Sequence, residues 1–309
     1  MRCALVFLWC LLVPASALAS NAVRVVTTLP DLADWVRQIG GSHVDVRSLL
    51  QGFEDPHTYE PRVGDVKALA GARVLVKVGL GLEEWLDGLL ENARNSELLV
   101  VEASRGLQIL GDGWEGDEEE GHREDPGHRP GHDHGHPHGN PHVWLDPANA
   151  AIMCRNIARA LEVADPVAQD AYQQGLGAYL LRLEAALSRF REQAQALEDR
   201  RFLSYHASWP YFARSLGLEA VGAVTRVPGQ EPSAKALAAL ISRIREERIR
   251  VLVTEPQLSS KVPDLLAQET GIRVVTLSTL LGTGPARDYL KLFEANARAL
   301  LQALQEPAR

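Results

Sequence analysis

Residues 23–50, VRVVTTLPDLADWVRQIGGSHVDVRSLL, decide the fold. VRVVTT at 23–28 is a short β-branched run, DLADWVRQIG at 31–40 spaces its apolar residues as a helix does, and HVDVRSLL at 43–50 reads as a second strand. Downstream the alternation continues. VGDVKALAG (63–71) is a helix ending at a glycine, RVLVKVG (73–79) a strand, LEEWLDGLLENAR (82–94) a helix and LLVVEAS (98–104) a fourth strand. Short apolar strands alternating with amphipathic helices predict a parallel sheet covered on both faces.

The second half repeats the pattern. RFLSYH (201–206), LEAVGAV (218–224), VLVTEP (251–256) and RVVTLS (273–278) read as strands, with helical spacing at 233–249, 262–271 and 288–304. Between the halves, residues 165–200 open with Asp165-Pro166 and are rich in Ala, Leu, Gln, Glu and Arg, which predicts one long helix. Gly175 and Gly177 weaken its middle without stopping it. The expected class is therefore α/β with two lobes, each a parallel sheet with helices on both faces, joined by one long helix. The expected organisation is a signal peptide at 1–19, an N-terminal lobe at 20–164, the linking helix at 165–200 and a C-terminal lobe at 201–309.

At the N-terminus, Arg2 precedes an apolar run at 4–13 that is too short to span a bilayer, and Ala17-Leu18-Ala19 has the small-x-small form of a cleavage site. The expected mature chain begins at Ser20, is soluble and periplasmic, and carries no lipid anchor, since no cysteine follows the cleavage site. Cys3 and Cys10 leave with the leader. Cys154, in the helical pattern AIMCRNIARAL, is then expected to be a buried core residue and the chain to lack an internal disulfide.

The formal charge is −8. Residues 112–140 hold nine acids against two bases, so the remainder is close to neutral and no basic patch stands out. That excludes a nucleic-acid partner from the expectations. The same segment is dense in Gly, Pro and His with no apolar period, and it is expected to be a disordered acidic His-rich loop on the first lobe. Its six histidines (His122, His128, His132, His134, His136, His138) suit weak metal collection or sensing, and the sequence does not choose between these and a solvated linker.

Three further histidines sit in punctuated contexts: His57 in GFEDPHTYEP, His142 in GNPHVWLDP, and His206 in LSYHASWPYF at the carboxyl end of a strand. A lone histidine beside a proline is more often a turn or capping residue than a ligand, and His43, in GGSHVDV, fits that description as a surface residue at a strand start. Ligands collect beyond the carboxyl ends of parallel strands, and these three would meet only in a cleft between the lobes.

The sequence resembles the zinc and manganese branch of the solute-binding proteins of ABC importers, the cluster with a rigid helical linker. The resemblance covers the whole mature chain and rests on DPHTYEPRVGDVKAL, NPHVWLDPANA, SYHASWPYFARSLGL, QEPSAKAL and TEPQLSS, with the acidic His loop matching zinc-type members. It implies one metal in the cleft, held by His57, His142 and His206, and delivery of that metal to a membrane permease by a monomeric chain. Three imidazoles favour Zn²⁺ over manganese, which prefers carboxylate oxygen. In relatives an Asp or Glu commonly completes the set after the last strand of the second lobe. Here that stretch reads TLSTLLGTG, with Ser278, Thr279 and Leu281 at the nearest positions, so water is the favoured fourth ligand and Glu255 the alternative.

A zinc hydrolase is the competing class, because three histidines and an open position are also a catalytic arrangement, with Glu255 as the candidate base. No HExxH helix or G-x-S-x-G elbow supports it. A zinc-dependent surface adhesin is a weaker third reading. Deletion of residues 113–139 is expected to remove additional weak zinc equivalents and leave one tight site. Titration calorimetry checks this, and unchanged stoichiometry would contradict a metal-binding loop.

Overall fold

A computed structural model of the chain describes residues 22–111, 139–225 and 231–306. The expected signal peptide and nearly all of the acidic His-rich segment lie outside the described residues. Among the described residues no helix is long and apolar enough to cross a membrane.

The first lobe is a four-stranded parallel sheet of β1 (Val23–Thr27), β2 (Val44–Ser48), β3 (Val74–Lys77) and β4 (Leu99–Glu102), in the order β2-β1-β3-β4. Helices α1 (Pro30–Gly40), α2 (Val63–Ala70), α3 (Leu86–Ala93) and α4 (Pro147–Ala164) accompany it. The strand compositions follow their places. The inner strands β1 and β3 bury Val25, Val26, Val74, Leu75 and Val76, whereas the edge strand β2, VDVRS, alternates apolar and polar because one of its faces meets water. His43 closes a 3-10 turn just before β2, half-buried, with its ring edge-on to Tyr172, so it is a packed residue and not a freely exposed one.

The second lobe repeats the order as β6-β5-β7-β8, with β5 (Arg201–His206), β6 (Glu219–Thr225), β7 (Val251–Thr254) and β8 (Arg273–Thr276), all parallel. Its helices are α6 (Pro210–Leu216), α7 (Ala234–Glu247), α8 (Lys261–Thr270) and α9 (Tyr289–Gln305). In each sheet the chain reverses its direction of growth beside the first strand. That leaves a crevice at the carboxyl ends of β1 and β3 in one lobe and of β5 and β7 in the other.

The long helix α5 runs from Gln169 to Gln195, 27 residues, after a 3-10 turn at Pro166–Ala168. It is shorter at both ends than the composition of 165–200 predicts, because Pro166 begins a tight turn and the chain leaves the helix after Gln195. Its stripe of Tyr172, Leu176, Tyr179, Leu183, Leu187 and Phe190 is buried against both lobes, so it is a shared core element more than a free strut. Gly175 is where α5 meets the end of α1: a Cβ there would lie 2.4 Å from the carbonyl oxygen of Ile39. Cys154 is fully buried and free, as its helical pattern predicts.

The lobes are joined at the base of the crevice by backbone-to-side-chain bonds. The Leu281 amide donates to Asp31 Oδ2 (3.1 Å), the Tyr289 amide to Asp34 Oδ2 (3.0 Å), and Trp144 Nε1 to the Thr279 carbonyl (2.8 Å). Gly52 and Gly282 let the two backbones touch: a Cβ on Gly52 would fall 1.8 Å from the Leu281 carbonyl oxygen. Asp31 is fully buried and its Oδ1 has no hydrogen-bond partner. Burial raises its carboxyl to about 7. The Leu281 amide opposes that shift and the nearby Asp34 adds to it.

A carboxyl raised in the folded state favours the protonated folded chain. Its contribution is full below the ordinary value of 3.8 and is lost as pH rises through about 7. Asp31→Asn retains an acceptor for Leu281 and removes the titration. Urea unfolding is expected to show the variant more stable than wild type at pH 8, by on the order of 1–4 kcal/mol, with the gap closing towards pH 4. A gap independent of pH would contradict this.

Candidate metal centre

His57 lies in the loop between β2 and α2. Its amide donates to Asp55 Oδ1 (2.9 Å), a local turn set by the Asp-Pro-His sequence, and the Pro56 carbonyl accepts from Trp85 Nε1 (2.8 Å). His142 precedes a 3-10 turn (Val143–Leu145) that leads into α4, whose start is fixed by Pro147 and by Asp146 accepting from the Ala148 amide. His206 is the last residue of β5, so its ring emerges at the carboxyl end of the sheet. His142 and His206 are buried and His57 half-buried.

The three predicted histidines come together. One ligand atom from each lies within 4.8 Å of the others, and among the described residues this is the group of metal-ligating side chains that converges. Ring centroids are 5.2 Å apart for His57 and His142, 5.1 Å for His142 and His206, and 6.0 Å for His57 and His206. His57 Nε2 and His142 Nε2 stand 3.2 Å apart. Two nitrogens each ~2.0–2.1 Å from one tetrahedral ion would be separated by about 3.3–3.4 Å, so the pair already has the edge length of a zinc tetrahedron.

Behind His206 lies a relay. His206 Nδ1 is 2.6 Å from Ser208 Oγ, and Ser208 Oγ donates to Glu255 Oε1 at 3.0 Å. A serine hydroxyl that donates its one proton to the carboxylate must accept from the imidazole, so Nδ1 carries the ring proton and Nε2 is left as the ligand atom. Glu255 sits just past β7, adjacent to β5, and is buried. Its Oε1 also accepts from Trp209 Nε1 (3.2 Å) and its Oε2 from Gln257 Nε2 (2.8 Å). Both oxygens are thus turned to protein donors. Its Oε1 lies 3.6 Å from His206 Nδ1, where the carboxylate would offset part of the charge of a divalent cation held by that histidine.

Thr279 lines the crevice with Asp55, Trp144 and Leu258, and its Oγ1 accepts from Gln257 Nε2 (3.4 Å). Burial raises the Asp55 carboxyl above its ordinary range, opposed by the His57 amide. Ser208, Gln257 and Asn140, whose Oδ1 is 2.9 Å from His142 Nδ1, were not singled out from the sequence. Each sits two residues from a residue that was, and that proximity is the signal that could have found them.

The family model described as "ZnuA: Zinc-uptake complex component A periplasmic" matches residues 25–303. The high-affinity zinc uptake system protein ZnuA of Bacillus subtilis (strain 168) is 30% identical over 300 residues, covering 92% of this chain and 88% of its own length. Zinc-binding protein AdcA of Streptococcus pyogenes serotype M3 (strain ATCC BAA-595 / MGAS315) is 27% identical over 300 residues, and the match spans 95% of this chain but 58% of AdcA. A crystal structure of a ZnuA deletion mutant with zinc bound superposes with a TM-score of 0.77 at 30% identity, covering 93% of this chain and all of that one.

Glu255→Gln removes the charge and disturbs the relay while preserving size. Zinc affinity, measured by competition with a chromophoric chelator, is expected to fall about tenfold to a hundredfold. Loss of all tight binding would instead mark Glu255 as a direct ligand.

Proposed function

The chain belongs to the ZnuA family of zinc-uptake components, and on that footing we propose that it captures Zn²⁺ between its lobes on His57, His142 and His206 and passes the ion to the membrane permease of an ABC importer. The observation that carries this reading is the convergence of three imidazoles from different parts of the chain, two of them with Nε2 atoms 3.2 Å apart. Imidazole nitrogen in a tetrahedral arrangement suits zinc, and the zinc named for the Bacillus and Streptococcus relatives agrees with it. Water completes the coordination, because both oxygens of Glu255 are held by Ser208, Trp209 and Gln257.

The cargo reading is favoured over hydrolysis by the same bonds. A general base must face the open coordination position, and Glu255 is instead committed to holding His206. We further propose that the chain is exported to the periplasm with residues 1–19 removed, in keeping with the leader-like N-terminus and the family description.

Replacing His57, His142 or His206 singly by Ala, in protein lacking residues 113–139, is expected to weaken zinc binding by about a hundredfold or more, since only three protein groups hold the ion. Competition titration checks it. A variant with wild-type affinity would remove that histidine from the ligand set.

A further inference from the structure

We propose that Asn140 is a positioning residue of the metal centre, whose side-chain amide holds His142 in the Nδ1–H tautomer and so presents Nε2 to the ion. This rests on the zinc reading above for its consequence, but the tautomer itself is a property of the metal-free chain.

Asn140 is buried, and its two side-chain ends are told apart by their partners. Asn140 Nδ2 is 2.7 Å from the carbonyl oxygen of Ala207. A carbonyl only accepts, so the NH₂ end must face it. The other end, Oδ1, therefore faces His142, where it accepts from the His142 amide (3.0 Å) and lies 2.9 Å from Nδ1. An amide oxygen cannot donate. The hydrogen between Oδ1 and Nδ1 must belong to the imidazole, and a neutral ring with its proton on Nδ1 has its lone pair on Nε2. That Nε2 is the atom 3.2 Å from His57 Nε2.

The backbone of Asn140 is held as firmly. Its amide donates to the Leu110 carbonyl (3.0 Å), and its own carbonyl accepts from Tyr211 Oη (2.9 Å), which in turn accepts from the Leu110 amide (2.8 Å). Gly139 makes this approach possible. Its φ is +82°, and a Cβ there would fall 2.6 Å from the Leu110 carbonyl oxygen. Ala207 directly follows His206, so one amide links the ligand that precedes α4 to the strand end that carries the ligand of the other lobe. His206 receives the equivalent service from Ser208, so the two buried histidines are given the same tautomer by unrelated groups.

The test reads the tautomer directly. Long-range ¹H–¹⁵N correlation spectra of the full-length, metal-free protein are recorded at pH 8, where a histidine of ordinary pKa near 6.5 is neutral. Wild type is expected to show His142 with a pyrrole-type Nδ1 and a pyridine-type Nε2. Asn140→Ala is expected to give a mixture of tautomers and to lower zinc affinity about tenfold to a hundredfold. Asn140→Asp keeps an oxygen towards Nδ1 and is expected to restore the wild-type signal, which a merely structural role would not predict. A wild-type His142 protonated on Nε2 overturns the proposal, as does an Ala variant with unchanged tautomer and affinity. Should wild type show the expected tautomer and yet bind no zinc, the tautomer assignment stands and the zinc reading fails.

Discussion

Two imidazole nitrogens facing each other at 3.2 Å, in a crevice closed by a third ring, are the constraint on which the rest of the structure depends. Without a metal, one ring can donate its Nε2 proton to the other at that distance, and a cation between them would take the lone pairs of both. Holding them there requires rigid supports. Each buried histidine has one: Asn140 behind His142, and Ser208 with Glu255 behind His206. His57 is fixed through its backbone by the turn at Asp55 and through Pro56 by Trp85. The three histidines are thus held by three different devices that bring them to one point.

The joint between the lobes serves the same end. The segment after β8 is bonded to the first lobe by Asp31, Asp34 and Trp144, and Thr279 within it lines the crevice. Placing Asp31 in that joint costs solvation, which is why its carboxyl is raised to about 7. Glycines at 52 and 282 let the backbones meet where any side chain would separate them. Through α5 one hydrophobic core extends from the first lobe into the second, and a separate cluster around Leu203, Leu252 and Leu266 lies within the second lobe.

Much of this was legible in the sequence for identifiable reasons. The strands of both sheets are apolar runs bounded by turns, and their alternation with helices is the signature of parallel sheets. The three histidines were legible through the motifs around them, DPHTYEP, NPHVWLDP and SYHASWPYF, since a proline neighbour by itself marks a turn more often than a ligand. Helix α6 was not assigned as an element, since PYFARSL at 210–216 is two turns long and too short to establish a period. The trimmed ends of α5 escaped because composition does not distinguish a helix from the turns that flank it. The supports of the ligands were harder still. Asn140, Ser208 and Gln257 each bond the residue two positions away and also a group distant in sequence; the spacing was there to be read, but the distant partners, Ala207, Glu255 and Thr279, are set by the fold.

X-ray absorption at the zinc edge, on zinc-loaded protein lacking residues 113–139, tests the central claim most directly. Three imidazole nitrogens at ~2.0–2.1 Å and one further light-atom ligand are predicted. A first shell with fewer than three imidazoles would contradict it.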